Sequence, residues 1–258
     1  MLRLAVLLLV AFMTLPTVVV IAVSFNPTAI LSFPPSGFSW RWYVNVLTYP
    51  QFQRAMWNSL VVTLGAVAVA MPVGTAAALA LARGRRGTSL WSTVLLSPLV
   101  VPGVAAGLGF LILGAALGLL RSRVVLIAAH VALVLPFVVR SVWVSARNLD
   151  PTLERAAASL GATPWRAFRR VTLPLLRPGL VAALLFAVIV SLNEFVVSLF
   201  ISTRLTEILP VAMFTYVVNY TDPTIAALST LFIVVTFVVV WLADRFLDLG
   251  GVFLHHRG

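Results

Sequence analysis

Residues Leu4 to Val23 run without a charge behind Arg3, and about 20 apolar residues in helical form cross the hydrocarbon of a bilayer. Comparable runs recur at about Asn58 to Ala82, Leu90 to Leu117, Val124 to Ser145, Leu180 to Phe200 and Thr224 to Leu247. The pattern predicts an all-α integral membrane protein with six transmembrane helices. Composition agrees, since 61% of the 258 residues are hydrophobic against about 45 to 50% in soluble domains. A cleaved signal peptide would need an apolar core of about 7 to 15 residues and a small-residue cleavage site. The first run is longer and Ser24 to Pro27 offers no such site, so it is read as an uncleaved span.

All eighteen basic residues are arginine and there is no cysteine. Without lysine the chain holds no P-loop, whose Lys must reach the nucleotide phosphates. Without cysteine it has neither disulfides nor thiolate metal sites. Arg3, Arg83, Arg85, Arg86, Arg147, Arg155, Arg166, Arg169, Arg170, Arg177, Arg245 and Arg257 fall on one side of the spans, and the smaller set of Arg41, Arg54, Arg121, Arg123 and Arg204 on the other. The excess of basic residues marks the cytoplasmic side, which places both termini and the central loop in the cytoplasm. The net charge of +11 therefore needs no nucleic acid to explain it.

Residues 1–57 form a first unit, made of the first span and a polar outer segment in which Trp40, Trp42 and Tyr43 read as a short helix on the membrane interface. Residues 58–258 form the helical core, with a soluble loop at 147–179. In the third span Pro98, Pro102 and Gly103 would break a helix, either as a gate or hinge lining a cavity or as a site of close packing. Arg140 lies near the cytoplasmic end of the fourth span and can snorkel to the headgroups. Glu194 lies about 21 Å into the fifth span at 1.5 Å per residue. A carboxylate at that depth is a functional-site candidate, with Asn193 and Phe195 beside it on a substrate pathway. An interior hydrogen bond, to Asn193, Ser191 or another helix, is the alternative. His130, His255 and His256 have no metal-ligand spacing with carboxylates and are read as structural or terminal, with no metal site and no catalytic residue assigned.

The soluble loop reads DPTLERAAASLGATPWRAFRRVTLPLLRPG from Asp150 to Gly179. Asp150 before Pro151 predicts a capped helix to about Leu160, Gly161 a left-handed stop, and Thr163 before Pro164 a second helix through Trp165, Phe168 and Val171 that Pro174 and Pro178 close. Ala156, Ala157, Ala158 and Gly161 leave a side with little bulk, and Trp165 and Phe168 supply aromatic anchors for a partner.

Ala156, Ala157, Gly161, Val171, Leu173 and Pro174 resemble the EAA loop of permease subunits of binding-protein-dependent ABC importers. Arg155 stands where the family usually has Glu, and Glu154 lies one place earlier. Ser24-Phe25-Asn26, Asn58-Ser59-Leu60, and the C-terminal runs SLNEFVVSLFIS, TEILP and DPTIAALSTL are similar to spermidine/putrescine-type permeases. The resemblance implies a type I ABC importer permease fold in which 58–258 is the permease core and 147–179 the coupling loop. By that reading Glu154, Arg155, Ala156, Ala157, Gly161, Trp165 and Phe168 couple to an ATPase. It implies partner ABC ATPase subunits that bind the ATP and Mg, leaving no cofactor in this chain. A second permease subunit, a periplasmic or lipid-anchored substrate-binding protein and inner-membrane lipid complete its surroundings. Polyamines are the expected cargo; an amino-acid derivative, an opine, iron or thiamine is the alternative. An intramembrane enzyme would need a Ser–His pair, paired aspartates or metal ligands facing inward, and a channel or scaffold would lack the ATPase.

Overall fold

The computed structural model describes residues 2–84 and 88–247, so Arg85, Arg86, His255, His256 and Arg257 lie outside the described residues. The core is a trio of helices: α3 (Pro50–Ala82), α6 (Arg123–Arg147) and α10 (Arg177–Asn193). Around it stand α1 (Leu2–Val23), α2 (Arg41–Thr48), α4 (Thr88–Leu96), α5 (Gly103–Ala116) and α7 (Pro151–Ser159). The remaining helices are α8 (Pro164–Ala167), α9 (Leu173–Leu175), α11 (Val196–Ile201), α12 (Leu209–Asn219) and α13 (Thr224–Leu247).

Small residues explain why the trio packs so closely. Ala66, Ala70 and Ala78 are fully buried along α3, and a Cβ added at Gly74 would lie 2.6 Å from Val138 Cγ1 on α6. Van der Waals contact of this kind drives helix association where lipid is as apolar as the side chains. By contrast α1 exposes Leu4, Leu8, Phe12 and Met13 and packs against α13 at the edge of the bundle. One end of the trio carries α7 and α8, the elbow end; the other carries α2, α11 and α12, the lid end.

Three described helices, α1, α3 and α6, are long and apolar enough to cross a membrane, and up to five spans result if each of two bent helix pairs counts as one. The third span, expected to break at Pro98, Pro102 and Gly103, is one such pair: a run over Leu90–Leu99 meets α5 at 97°, and the other pair is Pro164–Leu175 with Arg177–Asn193, bent by 68°. Pro98 sits in a 3-10 turn over Ser97–Leu99 and Pro102 caps α5 in extended conformation. The expected fifth span is interrupted as well, because α10 ends at Asn193 and α11 restarts at Val196. α13 covers the place of the sixth, with 224–238 an apolar helix too short to qualify by itself.

At the lid end the aromatic residues have a different role from the interfacial one read from sequence. Trp42 and Tyr43 are buried with Phe52, Leu209, Tyr216 and Leu228. Trp42 Nε1 donates to the Asn26 carbonyl, and Tyr43 Oη lies 2.6 Å from Ser24 Oγ. These tips find protein partners, so the rings belong to the core, while Trp40 stays exposed. The segment from Ser202 to Pro223, the lid, carries the short helix α12. Asn58 holds it, donating from Nδ2 to the carbonyls of Leu205 (3.0 Å) and Glu207 (2.9 Å) and accepting from Arg123 Nε at 2.8 Å.

Candidate functional site

At the elbow the local rules hold residue by residue. Asp150 caps α7 by accepting from the Thr152 N–H at 2.8 Å, and that bond, with the Thr152 hydroxyl, holds its carboxyl below the usual range. Gly161 has φ +81°, a left-handed conformation that only glycine, and less readily Asn or Asp, adopts cheaply. Thr163 Oγ1 accepts from the Arg166 N–H at 3.4 Å and starts α8. A π-helical turn over Phe168–Thr172 then carries the chain through α9 into α10.

No residue of α7 is buried. Arg155 and Ala156 are exposed and Ala157 half-exposed, whereas Leu160 is 89% and Trp165 68% exposed. Leu160 is an anchor the sequence reading left out; its position just before a left-handed glycine puts it at the tip of the elbow. Trp165 and Phe168 stack with centroids 5.5 Å apart and, with Ala76, Leu79 and Ala80 of α3, line a groove of about 480 Å³. Glu154 turns the other way. It accepts from Thr172 Oγ1 and pairs with Arg83 Nη2 at 3.5 Å, which ties α7 to the end of α3 rather than offering the carboxylate outward.

The second region is the break in the fifth span. Glu194 closes α10 with extended backbone (φ −69°, ψ 117°), and its Oε1 accepts from the Val197 N–H at 2.7 Å, capping α11. The carboxylate is half-buried and has no ion pair among the described residues; Arg140 instead lies over Trp143, 5.5 Å from the ring centroid. Asn193 is exposed and donates to its own helix at Ile189 (2.8 Å), and Phe195 packs on Phe214 at 5.2 Å.

Pro102 and Gly103, remote in sequence, come to the same place. A Cβ at Gly103 would lie 3.1 Å from Val196 Cγ1, and one at Gly107 would lie 2.7 Å from Phe200 Cδ2. The start of α5 therefore rests on α11, so both broken spans meet at their interrupted ends. Pro98 stays on the far side of the bend, with Val100 84% exposed beside it.

His130 is the residue whose importance the sequence concealed. It is 1% exposed, with Nδ1 2.8 Å from Ser191 Oγ and Nε2 3.0 Å from Ser198 Oγ. A Ser–His pair inside a membrane protein raises the hydrolase reading again. Ser191 and Ser198 are 2% and 0% exposed, so neither can meet a scissile bond, and Glu194 is engaged at Val197 rather than behind the ring. The group is a structural tie.

A helical bundle with two interrupted spans meeting inside it, and a soluble elbow projecting from one end, defines a membrane transport permease. The chain belongs to the family described as binding-protein-dependent transport system inner membrane component, which it matches over residues 70–248. It is 32% identical over 256 residues to the putrescine transport system permease protein PotI of Escherichia coli strain K12, covering 94% of this chain and 91% of that one. It is 32% identical over 240 residues to the spermidine/putrescine transport system permease protein PotC of Haemophilus influenzae, covering 91% of each. Its fold is similar to a crystal structure of a bacterial ABC transporter involved in the import of the acidic polysaccharide alginate, with TM-score 0.73 at 17% identity, covering 95% of this chain and 94% of that one.

Proposed function

We propose that this chain is the permease subunit of an ATP-driven importer of polyamines, with putrescine or spermidine as cargo. Six spans cross the inner membrane, α13 supplying the last, and both termini and the elbow face the cytoplasm, as the arginine distribution requires. The elbow docks in a groove on an ATPase subunit, which binds the ATP and Mg; Leu160, Ala157 and Trp165 form the contact, and Glu154 and Arg83 fix the elbow to α3. A second permease completes the pathway, and a periplasmic or lipid-anchored binding protein delivers cargo to the lid end. Closure of the ATPases moves α7 as a rigid lever and tilts the spans between inward-open and outward-open states.

The observation that carries the cargo assignment is Glu194, a carboxylate at a helix break with no cation paired to it among the described residues. Its charge lowers the barrier for an ammonium group. The names of the relatives, over nearly the full length, support the same choice over iron, thiamine or an opine. Uptake of labelled putrescine by vesicles carrying the complete transporter tests it. Glu194→Gln keeps the Val197 cap and removes the charge, and is expected to reduce uptake at least about tenfold, a loss of roughly 1.4 kcal/mol, with complex assembly and basal ATP hydrolysis retained. Uptake equal to wild type would overturn the pathway role.

A further inference from the structure

Four polar side chains meet at the centre of the bundle, each from a different helix. Thr63 of α3 lies 2.9 Å from Ser191 Oγ of α10, Ser191 lies 2.8 Å from His130 Nδ1 of α6, and His130 Nε2 lies 3.0 Å from Ser198 Oγ of α11. A neutral imidazole offers one donor and one acceptor, and a hydroxyl can do both. The row therefore closes in either direction. Nδ1–H donates to Ser191, which donates to Thr63, while Ser198 donates to Nε2; or every bond is reversed. No member is left unpaired, as groups this deeply buried require.

The arrangement matters because Ser191 and Ser198 lie on opposite sides of Glu194. Helical hydrogen bonding stops at the break, where the Glu194 N–H reaches only the Ser191 carbonyl, at 3.4 Å. The His130 ring joins the two pieces through a third helix. Glu194 in turn points where α11 begins, since its carboxylate accepts from Val197. Shifting α11 would carry the carboxylate with it.

Resting on the assignment of Glu194 to the cargo path, we infer that His130 is the positioning residue of that site: it pins α11 to α10 and so fixes the depth and direction of the Glu194 carboxylate. It never touches cargo. Its effect is on how well the site receives an ammonium group, and α11, resting on Gly103 and Gly107, passes any displacement to the other broken span.

Ser198→Ala cuts the Nε2 bond by removing one hydroxyl and leaves the bonds to Ser191 and Thr63 in place. His130→Asn cuts the same link from the other side. In vesicles carrying the complete transporter, either variant is expected to raise KM for labelled putrescine by about three- to tenfold, as loss of one buried hydrogen bond allows, with little change in maximal rate or basal ATP hydrolysis. In a Glu194→Gln background the same substitutions should leave KM where Glu194→Gln alone puts it. An unchanged KM in Ser198→Ala, an equal further rise in the Glu194→Gln background, or loss of the assembled complex in Ser198→Ala would each overturn the positioning role. Wild-type uptake by Glu194→Gln alone would overturn the cargo path itself, and with it this inference, in a variant that leaves His130 and both serines untouched.

Discussion

Gly161 shows how a single residue sets the shape of the elbow. A Cβ there would meet nothing within 4 Å, so space is not what demands glycine; the φ of +81° is. A β-branched residue in that conformation costs about 1 to 2 kcal/mol, and Asn less. If the elbow docks an ATPase as proposed, Gly161→Val should therefore uncouple it by turning Leu160 and Trp165 out of register, while Gly161→Asn should keep most of the coupling. ATPase retention during purification, together with cargo-stimulated hydrolysis, measures this. If both variants couple alike, the left-handed turn is not what presents the elbow. The positions of these residues were legible in sequence because every signal is local: Asp150 bonds two residues ahead, Thr163 three ahead, and Gly161 acts through its own φ. The inward turn of Glu154 was not legible, since Thr172 and Arg83 are brought to it by the fold.

Among the elements, the pair α5 and α11 depends on close fit at Gly103 and Gly107. The bend before α5 could be read from Pro98, Pro102 and Gly103, since a proline lacks a donor and restricts the residue ahead of it. The break after α10 could not, because SLNEFVV contains neither proline nor glycine. The serines on either side of it bond His130, 61 and 68 residues away in sequence, and apolar periodicity alone predicts a helix running straight through. Trp42 and Tyr43 are likewise buried by residues distant in sequence, Leu209, Tyr216 and Leu228. The contact gives a sharp comparison between neighbouring glycines. Gly107→Ala puts a methyl 2.7 Å from Phe200 Cδ2, whereas Gly109→Ala meets nothing within 4 Å. Overpacking of that kind costs about 1 to 3 kcal/mol, so Gly107→Ala should slow uptake markedly and Gly109→Ala should leave it unchanged. Equal rates in the two variants would show that α5 and α11 need no close contact during transport.

For the whole molecule, the lever and the gate act together only if the elbow and the lid lie on opposite sides of the membrane. α3 runs for 33 residues from the lid to Arg83, about 50 Å at 1.5 Å per residue, with Asn58 bonded to the lid near one end and Arg83 paired with Glu154 at the other. A push on α7 would thus reach α12 through a single packed helix. The natural absence of cysteine makes the geometry directly measurable. Leu160→Cys, at the exposed tip of the elbow, should react with a membrane-impermeant maleimide only in inside-out vesicles. Val218→Cys, exposed on α12, should react only in intact spheroplasts. Labelling of both from one side would refute the lever. Labelling of each from the side opposite to that expected would reverse the orientation drawn from the arginines and refute the lever as well, since an elbow on the outer face could not dock a cytoplasmic ATPase.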